Sequence, residues 1–265
     1  MTNTFSKEDL QAAVDNFASK HGITVLLAAE SGSRGWGFAS PDSDYDIRII
    51  FNYPVEKLVS LVNYKDTLRE TIGDLDIECW SLRKTLITLR RGNCVPLEWA
   101  VSPIVYHDHR GDFARSLVGN FGSWLFQMSP TVANYRGLID QQVGLLSTYP
   151  ITGGTIRLKR LFYALRSAMA GLYAMKRESM PPMNFHELRK EVPEFSAPLE
   201  ATIDALLEEK SCNGEKHEIT MPKDILDALV ACRASLMTVR QEPEDRDLPH
   251  LEPYDTFFRK WIPLS

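Results

Sequence analysis

The sequence predicts an α+β protein, a small mixed sheet with helices packed on it, followed by a helical bundle. Three observations carry this. Apolar or alternating stretches bounded by turn residues crowd residues 23–80, as strands do. Gly73-Asp74 separates two of these stretches, which reads as a tight hairpin. Beyond His109 the pattern changes to helical periods over residues 113–127, 131–147, 155–176 and 225–239. The expected division is therefore a sheet domain over 1–109, a helical domain over 110–241, and an extended C-terminal tail, 242–265, docking on the body.

Each element has a local reason. Ser6, with acidic Glu8 and Asp9 behind it, starts a helix that buries Leu10, Val14 and Phe17 and ends at His21-Gly22. Ile23 to Ala29 is a continuous apolar run, the pattern of a buried strand. A glycine-rich turn follows. From Asp44 to Phe51 the residues alternate, with Tyr45, Ile47, Ile49 and Phe51 on one face and Asp44, Asp46 and Arg48 on the other. Tyr53-Pro54 breaks this strand and a short helix follows over Val55 to Val62. Asp66 to Ile72 and Leu75 to Trp80 form the hairpin. Ser81 caps a helix from Leu82 to Arg91 that Gly92 ends. Pro181-Pro182 is a break no helix crosses. Glu242 to Pro253 is acidic and extended, while Phe257, Phe258 and Trp261 anchor the end of the chain.

Composition narrows the function classes. At 265 residues and 44% hydrophobic, the chain can bury a substantial core. No apolar run approaches the roughly 18 residues of a membrane span. The polar start, Met1-Thr2-Asn3-Thr4, predicts no secretory leader. Cys79, Cys94, Cys212 and Cys232 are scattered without paired spacing, as expected of reduced thiols in a cytoplasmic protein. A net charge of -5 argues against a general nucleic-acid coat.

One stretch carries chemistry. Gly32-Ser33 forms a turn after an apolar strand, where a hydroxyl and backbone N–H groups can hold phosphate oxygens. Asp44 and Asp46, two apart on a strand, project from one face and repel unless a divalent cation lies between them. A surface Asp-x-Asp alone would mean little. Following a Gly-Ser turn, the pair reads as a magnesium site facing a phosphate cradle, the equipment of phosphoryl or nucleotidyl transfer.

Ser31-Gly32-Ser33-Arg34-x-Trp36-Gly37-Phe38, Ser43-Asp44-Tyr45-Asp46, Asp76-x-x-x-Trp80-x-Leu82-Arg83-Lys84 and Lys159-x-x-Phe162-Tyr163-x-Leu165-Arg166 together resemble the DNA polymerase beta-like nucleotidyltransferase superfamily. Within it they resemble the branch of predicted bacterial and phage enzymes of the YcgL type. The small toxin–antitoxin nucleotidyltransferases share only the first motif. The resemblance implies a nucleotidyltransferase-fold domain facing a helical domain, with Mg2+ or Mn2+ as cofactor and a nucleoside triphosphate as donor. It implies a hydroxyl acceptor, with RNA as the first expectation. A nucleotide-binding, non-catalytic regulator or antitoxin-like protein of the same fold is the alternative. A small-molecule nucleotidyltransferase of the aminoglycoside-modifying kind would call for an acidic helical-domain face, where this chain has Lys159 and Arg166.

By the same resemblance, Asp44 and Asp46 are catalytic metal ligands, and a third carboxylate comes from the neighbouring strand. Asp76 and Glu78 share a face there. Asp76 matches the aspartate four residues before the branch's tryptophan, and Glu78 is the runner-up. One departure is Ser81, where the branch carries an aspartate after that tryptophan. Gly32 and Ser33 would meet the β- and γ-phosphates, and Arg34 would add charge there or lie in solvent. Lys159 would reach the triphosphate from the helical domain, with Arg166 beside it; the plain alternative is a solvated basic face. Arg83 and Lys84 are acceptor-side candidates. Glu30 is read as an ion-pair partner of Arg34 or Arg48, and Trp36 and Phe38 as packing residues. His107 and His109 are read as part of a mixed polar connector rather than as metal ligands.

Overall fold

Ser6 and Asp9 cap each other reciprocally, the Asp9 N–H donating to Ser6 Oγ and the Ser6 N–H to the Asp9 carboxylate, and so start α1 (Lys7–His21). The computed structural model describes residues 5–61, 63–122, 125–144, 154–240 and 248–262. After α1 come β1 (Thr24–Glu30), the one-turn helix α2 (Gly32–Trp36), β2 (Tyr45–Asn52), α3 (Val55–Leu58) and the hairpin of β3 (Thr67–Ile72) and β4 (Leu75–Ser81). Then follow α4 (Leu82–Arg90), α5 (Val95–Ala100), β5 (Val105–Asp108) and α6 (Phe113–Phe121). The helical part comprises α7 (Met128–Val143), β6 (Thr155–Arg157), α8 (Leu158–Arg177), α9 (Phe185–Glu191), α10 (Pro193–Ser196), α11 (Glu200–Asn213), β7 (Glu218–Thr220) and α12 (Lys223–Met237). The last helix is α13 (Glu252–Trp261).

The chain is thus α+β, with a five-stranded mixed sheet in the order β3-β4-β2-β1-β5. β2 runs antiparallel to β1 and parallel to β4, and β3 and β5 close the edges in antiparallel pairing. The alternation expected of β2 is what the sheet uses. Tyr45, Ile47, Ile49 and Phe51 join Leu10, Val14 and Phe17 of α1 in one core. This leaves Asp46 and Arg48 on the opposite face.

Two compact units result, one from Met1–Gly35, Asp44–Leu125 and Asp247–Ser265, the other from Trp36–Ser43 and Phe126–Arg246. This division differs from the expected 1–109, 110–241 and 242–265. Helix α6 belongs with the sheet because Phe113, Leu117 and Phe121 are buried there, Phe113 and Phe121 against aromatic residues of α13. Within the expected extended tail, Glu252–Trp261 form a helix instead. Pro253 lies in its first turn, where a missing N–H costs nothing and its fixed φ suits a helix. Trp261 and Phe257 of this helix pack against Phe113. The residues read as a connector around His107 are the edge strand β5, paired with β1. The period expected over 155–176 begins with a short strand, β6, whose partner β7 lies about sixty residues away in sequence and so could not be read locally. Val62, Ser147 and most of the acidic segment from Glu242 lie outside the described residues.

The second unit holds the 36–43 segment by a buried polar latch. Lys210, 1% exposed, donates to the Phe38 carbonyl at 2.9 Å and to Glu215 at 3.2 Å. Ser43 Oγ donates to Glu215 at 2.6 Å, and the Glu215 N–H donates to Asp42 at 3.0 Å. Burial pulls the Lys210 ammonium below its ordinary value, against the opposing pull of Glu215. Lys210→Met keeps the apolar stem but strands part of this network. It is expected to cost about 2 kcal/mol in urea unfolding, less than a lone buried pair loses because Lys159 still faces Glu215. An unchanged midpoint would show that the latch carries no stability.

Candidate active site

The start of β2 is held from both sides. The Ser31 N–H donates to the Asp46 carbonyl at 2.8 Å, and the Tyr45 N–H donates to the Asp74 carbonyl at 2.8 Å. A third restraint is Glu30, the last residue of β1 and fully buried. One of its carboxylate oxygens accepts the Asp46 N–H at 2.7 Å, and the other accepts the Tyr106 hydroxyl at 2.5 Å. Burial raises the Glu30 carboxyl above its ordinary value despite these two donors, and pushes the Tyr106 hydroxyl up as well. Glu30 thus hydrogen-bonds to the Asp46 backbone and to Tyr106, with the Arg34 charge also acting to lower its carboxyl, while the Arg48 guanidinium goes to Asp46 and Asp76. Both hydrogen-bond partners of Glu30 lie across the sheet, and it fixes the backbone of Asp46.

In the parallel pairing of β2 and β4, Asp46 stands directly beside Asp76 and Arg48 beside Glu78. All four point to the same face. Arg48 bridges the aspartates, one guanidinium nitrogen 2.7 Å from Asp46 Oδ1 and the other 2.7 Å from Asp76 Oδ2. Burial works against its charge, but the adjoining carboxylates outweigh this and hold the guanidinium above its ordinary value. Asp76 also accepts the Thr71 hydroxyl at 3.2 Å. Glu78 accepts from Arg69 and from Trp80 Nε1, each at 2.8 Å. Burial would raise the Glu78 carboxyl, yet those hydrogen bonds and the charges of Arg69 and Arg48 hold it below the usual range. Of the two candidates for third carboxylate, Asp76 is the one placed against Asp46.

The Ser81 departure is explained by position. Ser81 is in register with Phe51, five residues along the sheet from the Asp46–Asp76 pair, or roughly 16 Å. It lies on the other face of β4 from Asp76. Its side chain accepts the Lys84 N–H at 3.0 Å as the N-cap of α4 and donates to Asp66 at 2.5 Å. An aspartate there would cap the helix as well, and its replacement takes nothing from the carboxylate pair.

The remaining candidates divide between the units. Asp44 lies one residue before β2 with its side chain exposed. The Gly32–Ser33 segment is the start of α2 rather than an open turn, and both residues are buried. Gly32 has φ +56, and a Cβ built on it would stand 2.0 Å from Asp46 Oδ2, so the backbone there closes directly onto the carboxylate. Arg34 donates to the Asp44 carbonyl at 3.2 Å and stacks over the Tyr45 ring at 3.8 Å, bracing the entry to β2. Arg83 faces Asp66 at 3.3 Å, and Lys84 lies over the Trp80 ring at 4.0 Å. In the helical unit, Lys159 pairs with Glu215 at 2.9 Å. Arg166 is 2% exposed, lies over the Trp36 ring at 4.4 Å and donates to the Met183 carbonyl. The solvated basic face that spacing suggested is thus a packed one at Arg166, and Trp36 and Phe38 pack as expected.

Among the described residues no group of three or more histidine, cysteine or carboxylate side chains is gathered as a ready metal site. The donor set still fits a hard divalent cation in kind. Asp44, Asp46 and Asp76 offer only oxygen. The Asp46–Asp76 pair already holds one cation, the Arg48 guanidinium. Among the described residues no helix is long and apolar enough to cross a membrane.

Residues 6–260 match RlaP, described as the RNA repair pathway DNA polymerase beta family. The chain is similar to the uncharacterized protein YcgL of Bacillus subtilis (strain 168), 34% identical over 210 residues that cover 78% of this chain and 76% of that one. A nucleotidyltransferase-like protein from Exiguobacterium sibiricum 255-15 aligns with 88% of this chain and 74% of its own at a TM-score of 0.33 and 12% identity, a likeness too distant to carry an argument.

Proposed function

Because this chain belongs to the RNA repair pathway DNA polymerase beta family, and is to that extent a polymerase beta-like nucleotidyltransferase, we propose that it moves a nucleoside monophosphate from a nucleoside triphosphate to a hydroxyl on RNA. One observation carries the assignment of the centre: Asp46 and Asp76 stand side by side on parallel strands, with Asp44 at the entry and the Gly32 backbone closed onto Asp46. The RNA acceptor rests on the family's description alone.

Asp44, Asp46 and Asp76 would hold Mg2+, or Mn2+ in its place. The chemistry such a cation supplies is neutralisation of the triphosphate and a lowered pKa for the acceptor hydroxyl. The acceptor oxygen bonds to the α-phosphorus, the bond from that phosphorus to the bridging oxygen of the β-phosphate breaks, and pyrophosphate leaves. Asp76 would take the acceptor proton, since it stands beside Asp46 while Glu78 is occupied by Arg69 and Trp80. Gly32 and Ser33 would approach the phosphates. Glu30, through the Asp46 N–H, keeps the strand in place.

A second reading, nucleotide binding without turnover, is favoured by the Arg48 bridge, which satisfies both carboxylates without a metal. The two separate in one assay. The protein and Mg2+ are incubated with each α-labelled nucleoside triphosphate and with total RNA, DNA or lysate protein, beside a D44A/D46A control. Label on RNA that vanishes in the control is the expected result. Nucleotide bound in equilibrium dialysis with no label on any acceptor would replace catalysis by the binding role.

A further inference from the structure

Asp46 and Asp76 face each other across one strand spacing, roughly 4.8 Å, where two ionised carboxylates repel. The group between them is Arg48, which arises two residues along β2 from Asp46 and so shares its face. Its planar fork gives one nitrogen to each carboxylate, at 2.7 Å in both cases, and its side chain is 16% exposed. A lysine could offer only a point charge there, whereas guanidinium reaches both acceptors at once. Glu78, in register with Arg48 on β4, gives the guanidinium another carboxylate on the same face.

We propose that Arg48 is the resident counter-cation of this carboxylate pair, holding Asp46 and Asp76 together in the metal-free protein and giving up its place when a divalent cation enters. The inference rests on the reading of these carboxylates as cation ligands. It makes Arg48 a positioning residue: it touches neither donor nor acceptor, and sets how readily the centre takes its metal. Two consequences follow from the charges. Metal binding has to break two charge-assisted hydrogen bonds, so its affinity is weaker than the carboxylates alone would give. Without Arg48 the metal-free pair repels, so the empty protein loses stability and a divalent cation restores it.

The test uses the full chain stripped of metal, with Mn2+ binding read by loss of the free-ion signal in electron paramagnetic resonance. Arg48→Met is expected to bind Mn2+ about 10- to 100-fold tighter than the unaltered protein. It should also unfold at a lower temperature in chelator, with the deficit closing as Mn2+ is added. Arg48→Lys, which keeps the charge but cannot span both carboxylates, should fall between them and carries the comparison if the methionine variant does not fold. Equal or weaker Mn2+ binding by the variants would overturn displacement and leave Arg48 a fixed scaffold. If the folded protein and both variants all fail to bind Mn2+, the cation reading of the carboxylates falls instead, and the inference falls with it.

Discussion

Asp46→Asn and Asp76→Asn are each expected to lower transfer about a thousandfold, some 4 kcal/mol of transition-state stabilisation, while Glu78→Gln stays within about tenfold. The asparagine changes are isosteric and keep an oxygen for Arg48, so the sheet should survive while the charge needed at the centre is lost. Asp76 stands beside Asp46 in register and so shares its centre. Glu78 is one pleat further along, occupied by Arg69 and Trp80. Single-turnover label transfer at saturating Mg2+ measures the effect, with circular dichroism to verify folding. A fully active Asp76→Asn beside a dead Glu78→Gln would move the third carboxylate to Glu78. Equal activity of all three would remove the carboxylate pair from the chemistry.

Gly32→Ala should damage both fold and centre through a single methyl group. The backbone there has φ +56, which costs an alanine about 1 kcal/mol. The added Cβ would also stand 2.0 Å from Asp46 Oδ2 and 2.9 Å from its Cγ, far inside contact distance. Asp46 cannot yield easily, because its other oxygen is held by Arg48 and its N–H by Glu30. Displacing it forfeits a charge-assisted hydrogen bond, so the total is expected near 3 to 4 kcal/mol in urea unfolding. Gly73→Ala supplies the comparison. That glycine has φ +60 with open space around its missing Cβ, and its replacement should cost only the backbone portion, about 1 kcal/mol. Equal costs at the two positions would mean that Gly32 does not press on the carboxylate.

Much of the first unit was legible because its signals are local. Ser6 and Asp9 announce their helix three residues apart, Gly73 its hairpin, and the β2 alternation separates Ile47 and Ile49 from Asp46 and Arg48. Where expectation failed, two competing signals met. Pro253 reads as a breaker unless it occupies the first turn of a helix, as it does here. Arg166 has the spacing of a solvated basic face, but the Trp36 ring provides its partner and buries it. The edge strand at Val105–Asp108 is four residues long, too short for a periodicity to show.

By itself the sequence determined which carboxylates share a face and which glycine precedes them, because strand alternation and turn chemistry act over a few residues. Which strand lies beside which is a different matter. Nothing within reach of Asp46 says that Asp76, thirty positions on, will stand level with it, or that Tyr106 will meet Glu30 across β1. Those neighbours are chosen when the sheet closes and its apolar faces are buried together. The same step decides that Ser81 faces away from the carboxylates and that Arg48 ends between two of them. Periodicity orients a side chain about its own strand, and only tertiary packing supplies what it meets there.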